Sequence, residues 1–187
     1  IPTYNRAHLI ENTLKSVLNQ SCDDFEVIII DDGSTDHTAE IIQPYLSEKV
    51  SYYKIQNSER GAARNRGTQL AKGDYINWFD SDDVMLERFI EEKMEKFTDT
   101  VQIVFCGFYR TDANLQIKNQ SNFTDTVDLF KEYVLGKQPM VTNSAMFKRA
   151  FLNHKKLFNS NILRGQETEF FSRLFFDLKI EQYVLLN

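Results

Sequence analysis

Apolar residues in the first half of the chain switch repeatedly between two periods, and the switches outline its elements. Leu9, Ile10, Leu14, Val17 and Leu18 recur at helical spacing and predict an amphipathic helix over residues 7–19, with Asn5 near its start. The unbroken β-branched run Val27, Ile28, Ile29, Ile30 then has the pattern of a strand buried on both faces in a parallel sheet. Asp31-Asp32-Gly33-Ser34-Thr35-Asp36 breaks it, and its Ser, Thr and Asp are N-caps for a helix carried on by Ala39, Ile41, Ile42, Tyr45 and Leu46. A strand over 50–55, a Gly- and Arg-rich helix over 61–71 ended by Gly73, and a strand over 75–79 follow. Leu86, Phe89, Ile90, Met94 and Phe97 mark the next helix, and residues 101–109 the next strand.

This alternation predicts an α/β fold: a doubly wound, Rossmann-like, mostly parallel central sheet flanked by helices, with its ligand crevice beyond the carboxyl ends of the strands. The second half is less regular, with an edge strand over 115–118, a helix over 126–135, a strand over 144–148 and a helix over 167–178. No repeat or flexible linker interrupts the 187 residues. The chain therefore reads as one domain, with about residues 1–100 as a ligand-binding half and 101–187 as a smaller portion that shapes the rest of the pocket.

Charge and composition narrow the function. Twenty-two Lys and Arg against 27 Asp and Glu leave a net charge of −5, so no general basic surface exists to hold a nucleic-acid backbone. No apolar run approaches the roughly 18 residues of a membrane-spanning helix. Cys22 and Cys106 make no disulfide framework and read as reduced structural thiols, while His8, His37 and His154 are scattered singly. That pattern argues against a zinc hydrolase or a Ser/His/Asp site.

The carboxylates are concentrated. Asp31 and Asp32 end one predicted central strand and Asp80, Asp82 and Asp83 end another, so the fold places both groups on one rim. Packed carboxylates repel unless a cation neutralises them. Asp80-Ser81-Asp82 offers two hard oxygen donors on a short loop, which suits Mg²⁺ or Mn²⁺ beside a diphosphate. Arg60, Arg64 and Arg66 lie close to a helix start, where guanidinium and helix N–H groups can meet phosphate oxygens.

Four segments then resemble, in order, the motifs of family 2 glycosyltransferases: Ile1 to Arg6, Val27 to Asp36, Ala63 to Gly67 with Ala71 to Ile76, and Phe79 to Asp83. The resemblance implies a GT-A-type fold, a nucleotide-sugar donor (a UDP-sugar by preference), a divalent metal, Mn²⁺ or Mg²⁺, and inversion at the anomeric carbon. It makes Pro2, Thr3 and Tyr4 part of the nucleoside pocket. It gives Asp32 the hydrogen bonds to base or ribose with Asp31 in support, and puts Arg64 near the diphosphate or base edge. Asp80 and Asp82 match the Asp-x-Asp element, with Asp82 favoured as the direct metal ligand and Asp83 as a pocket residue. The family's late Gly-Glu-Asp-like segment corresponds to Gly165-Gln166-Glu167, making Glu167 the expected catalytic base, favoured over Glu169; Asn143 is a further pocket-lining candidate.

The acceptor implied is a polysaccharide, glycolipid or other cell-surface glycan, met at the cytoplasmic face of a membrane with peripheral association through regions beyond this chain. The same resemblance suggests that the first strand starts before Ile1 and that a further region follows Tyr183 to Leu186. Two rivals remain: a non-catalytic binding module of the same fold, motivated by Gln166-Glu167, and a sugar nucleotidyltransferase, disfavoured because residues 2–6 contain no Gly. A Rossmann dehydrogenase lacks its G-x-G-x-x-G.

Overall fold

The computed structural model describes residues 1–187. Its first sheet is parallel throughout, ordered β1 (Pro2–Thr3), β2 (Val27–Asp31), β3 (Val50–Lys54). Between these strands run α1 (Ile10–Leu18) and α2 (Thr38–Ile42), and α3 (Glu59–Leu70) follows β3. The helix expected to reach Leu46 ends early because Pro44 cannot donate an N–H, and residues Gln43–Tyr45 tighten into a 3₁₀ turn. Asn5 takes a left-handed φ of 51° and does not cap α1; its Oδ1 accepts the N–H of Thr35 at 2.8 Å, tying the first loop to the one after β2.

Beyond Gly73 the strand direction changes. β4 (Tyr75–Asn77) and β5 (Ile103–Cys106), with α4 (Phe89–Met94) between them, both pair with β8 (Ala145–Lys148), which runs antiparallel to each. The parallel order thus holds for β1 to β3 and for β5 with its outer neighbour β9 (Tyr183–Leu186), and β8 is the reversed strand between. The apolar Tyr183 to Leu186 run is accordingly a sheet strand. The single strand expected over 101–109 is broken at Gly107, whose Cβ would lie 2.8 Å from the carbonyl oxygen of Ser121. After that break, β6 (Phe108–Thr111) and β7 (Ile117–Ser121) form a separate hairpin. Three helices complete the chain: α5 (Leu129–Val134), α6 (Arg149–Leu152) and α7 (Gln166–Phe176).

Two apolar clusters sit on either side of the rim. Ile10, Leu14 and Val17 of α1 pack with Val27 and Ile29 of β2, Ile42, Val50, Phe79 and Met85. The other cluster is aromatic and centred on Trp78, whose ring lies 5.0 Å from Phe147, 4.9 Å from Phe158 and 5.5 Å from Phe170. The Trp78 Nε1 also donates to Thr68 Oγ1 of α3 at 2.9 Å. Through that one side chain β4 fixes α3 against α7. The first turns of those helices meet closely at Gly61, where a Cβ would stand 3.0 Å from Gln166 Oε1 and 3.1 Å from Phe158 Cβ. Trp78→Ala therefore removes packing on three elements and is expected to lower the unfolding free energy by about 3–5 kcal/mol in urea titrations; a loss below about 1 kcal/mol would contradict this account of the core.

Candidate active site

The loops after β1, β2 and β4 share one rim: the Asn5 N–H donates to Ser34 Oγ at 2.9 Å, and Arg6 Nη2 lies 3.4 Å from Asp82 Oδ2. Pro2 and Thr3 are buried at its base, the Thr3 hydroxyl without a hydrogen-bond partner, and Tyr4 projects outward. Asp31 is fully buried and already occupied: its Oδ1 accepts the Ser34 N–H at 2.7 Å and its Oδ2 the Tyr52 hydroxyl at 2.5 Å. Burial, with that hydrogen bond, pushes the Tyr52 phenol well above its usual range. Asp32 accepts the Ser58 N–H at 2.7 Å through Oδ1, and burial pushes its carboxyl above the ordinary range despite that bond. Asp31 thus braces the loop after β2, while the buried Asp32 ties that loop to the start of α3.

Across the rim, one cation gathers two carboxylates from distant parts of the chain. Arg64 on α3 is 2% exposed, and its Nη2 donates to Asp80 Oδ1 at 2.7 Å and to Glu167 Oε1 at 2.9 Å. Its guanidinium also lies 5.3 Å from the centre of the Phe158 ring. Arg64, expected near the diphosphate or base edge, is buried on the inner face of α3 with Gly61 and Ala63 and bridges the two carboxylates. Arg60 is exposed on the outer face and does not join the site.

Glu167 is held a second time by Thr142 Oγ1, which donates to the same Oε1 at 2.7 Å. Both bonds fall on Oε1, so Oε2 stays open to a ligand. The left-handed φ of 74° at Gly165 starts α7 and points Glu167 inward from its first turn. Glu169, two residues on, turns away: its carboxylate pairs with Arg173 of the same helix at 2.8 Å, and that pairing holds it below the ordinary carboxylate range. Of the two glutamates, only Glu167 bonds to Arg64 and Thr142.

The Asp80-Ser81-Asp82-Asp83 loop is uneven. Asp80 is pinned by Arg64, and Asp82 is half exposed with its Oδ2 3.4 Å from Arg6 Nη2. Asp83 accepts a hydrogen bond from Asn143 Nδ2, and burial together with the Asp80 and Asp82 charges pushes its carboxyl up to about 6. The loop therefore carries more negative charge than Arg6 and Arg64 neutralise. No group of three or more His, Cys, Asp or Glu side chains converges to cage a metal. Two hard carboxylate oxygens with remaining positions left to phosphate and water suit a Mg²⁺ or Mn²⁺ ion that arrives with a diphosphate.

Tyr52, Thr142 and Phe158 are site residues that the sequence did not mark. Thr142 and Phe158 lie in weakly patterned stretches, and Tyr52 reads only as a strand residue. Asn143, expected as a lining residue, sits within reach of Asp83.

The glycosyl transferase family 2 model matches residues 1–162. A GalNAc(5)-diNAcBac-PP-undecaprenol beta-1,3-glucosyltransferase of Campylobacter jejuni is 26% identical over 181 residues, covering 90% of this chain and 56% of its own length. The chain spans about a quarter to just over half the length of the curated relatives it matches. Among solved structures, S. aureus TarS 1-349 in complex with UDP-GlcNAc superposes with a TM-score of 0.74 at 21% identity, over 100% of this chain and 57% of that one. A Pyrobaculum calidifontis mannosyltransferase in complex with GDP-Man and Mn²⁺ superposes with a TM-score of 0.63 at 21% identity, over 86% of this chain and 46% of that one. The fold is of the GT-A type, and the chain belongs to glycosyl transferase family 2.

Proposed function

We propose that residues 1–187 form a single catalytic unit that transfers a sugar, with inversion, from a nucleoside diphosphate donor to a hydroxyl of a glycan or glycolipid acceptor. The observation that carries this reading is the Arg64 bridge, which sets the carboxylate of Glu167 one guanidinium away from Asp80. An acceptor hydroxyl is a poor nucleophile at neutral pH, and Glu167 Oε2 accepts its proton as the oxygen bonds to the anomeric carbon. The bond from that carbon to the diphosphate oxygen breaks on the opposite face, so one displacement inverts the centre without a covalent enzyme intermediate. Pro2, Thr3, Tyr4 and Asp32 receive the nucleoside, with Asp31 bracing Asp32.

Asp82 and Asp80 would hold Mn²⁺ or Mg²⁺, which when bound supplies positive charge to the departing diphosphate. Arg64 and Thr142 hold Oε1 of the base and so leave one carboxylate oxygen aimed at the acceptor. A UDP donor is favoured by the likeness to a UDP-GlcNAc complex. Residues 1–100 then serve the donor and 101–187 the acceptor. The undecaprenol-linked substrate in one relative's name supports a lipid-linked or cell-surface glycan met at the cytoplasmic face of a membrane; no helix of this chain is long and apolar enough to cross one.

Two measurements test this reading. Glu167→Gln keeps shape and hydrogen bonding but removes the base, and is expected to lower kcat by about 10²–10⁴ with donor affinity retained; unchanged turnover would exclude Glu167 as the base. In a thermal-shift panel of UDP-, GDP-, CDP- and dTDP-sugars, the UDP-sugar with Mn²⁺ is expected to raise Tm and to lose that effect in Asp82→Asn, since ligands that bind only the native state stabilise it by mass action. A panel without any shift in the presence of metal would remove the donor site.

A further inference from the structure

Lys93 has no place in the mechanism above, yet its environment is unusual. It lies on the inner face of α4 and is 1% exposed. Its Nζ forms no ion pair with a carboxylate; it donates to the Ser144 carbonyl at 2.6 Å and to the Val104 carbonyl at 3.4 Å, and lies 4.5 Å from the centre of the Phe89 ring. Burial drives the ammonium below the ordinary lysine range, partly opposed by the Cys106 thiol beside it. An ammonium here is costly, and a Met of similar length would fill the space without that cost.

What Lys93 holds is the turn beside the base. Three consecutive carbonyls accept from side chains of neighbouring elements. Asn77 Nδ2 on β4 donates to Asn143 at 3.0 Å and to Ala145 at 2.7 Å, and Lys93 donates to Ser144 between them. The side chains of the same turn point the other way, Thr142 to Glu167 Oε1 at 2.7 Å and Asn143 to Asp83. The 3₁₀ turn Thr142–Ser144 has its carbonyls clamped on one side and presents two site-holding donors on the other.

We propose that Lys93 is a positioning residue for glycosyl transfer: by clamping the Ser144 carbonyl, it fixes the turn through which Thr142 and Asn143 set the carboxylates of Glu167 and Asp83. This rests on the transferase reading above. Lys93 touches no substrate; it acts through the backbone that carries Thr142, whose hydroxyl donates to Glu167 on α7. A displacement of the base by around 1 Å is enough to cost on the order of a hundredfold in rate.

The test combines kinetics and amide hydrogen exchange on the full-length protein, with Lys93→Met, Thr142→Val and the double variant. Lys93→Met is expected to keep the wild-type Tm or exceed it, to lower kcat at least about tenfold and to leave the donor KM within about twofold. Amides of residues 142–145 are expected to exchange about tenfold faster. The double variant is expected to lose less than the product of the single losses, because both changes act through the hydroxyl on Glu167. A kcat equal to wild type, or single losses that multiply fully, would overturn the proposal. A Tm loss with unchanged kcat per folded molecule would show a structural role alone. If Lys93→Met does not fold, Lys93→Gln, a shorter neutral donor, carries the same readouts in the same direction. An inactive wild-type protein would sink the transferase reading, whereas unchanged exchange at 142–145 would sink the clamp by itself.

Discussion

A single buried guanidinium sets the geometry of this site. Arg64 is almost wholly removed from water, and a charge so placed is tolerable only if its partners are fixed. The partners are Asp80, in the loop that follows β4 and Trp78, and Glu167, in the first turn of α7 and 103 residues from Arg64. Each carboxylate is in turn more than two-thirds buried and needs the cation. The charge requirement of one residue therefore joins the Asp80 loop to the start of α7, and the distance between the two carboxylates becomes a property of Arg64.

The packing around that bridge follows from it. Phe158 covers one side of the guanidinium and stacks on Phe170 at 4.6 Å between ring centres, so the aromatic core extends to the ion pair. The absence of a side chain at Gly61 lets the start of α7 approach α3 closely enough for Glu167 to reach Arg64. Thr142 then supplies the second hydrogen bond, from a turn whose carbonyls are held by Asn77 and Lys93. Burial, with the neighbouring Asp80 and Asp82 charges, raises the Asp83 carboxyl, and Asn143 is its hydrogen-bond partner.

Much of this was legible in the chain because the first half obeys simple periodicities. Val27 to Ile30 could only be a strand buried on both faces, and the two Asp-rich breaks had to fall at strand ends. The reversal at β8 and the strand at Tyr183 to Leu186 were not legible, since a four-residue apolar run carries no sign of its direction or its partner. The burial of Arg64 was not legible because α3 is poor in apolar residues, and only the inward-facing Gly61 and Ala63 mark its buried side. Lys93 did leave a trace: it interrupts the apolar stripe of Phe89, Ile90 and Met94. Glu167 is marked by resemblance alone, and what separates it from Glu169 is tertiary: Arg64 and Thr142 hold the first and Arg173 the second.

The central claim is that Arg64 aligns the base with the donor-side loop, and steady-state transfer by Arg64→Met, alone and combined with Glu167→Gln, tests it most directly. If the bridge sets the base, Arg64→Met loses on the order of a hundredfold in kcat and the double variant is little worse than Glu167→Gln alone, because the base has no further alignment to lose. Near-wild-type turnover in Arg64→Met, or losses that multiply in the double variant, would contradict the account.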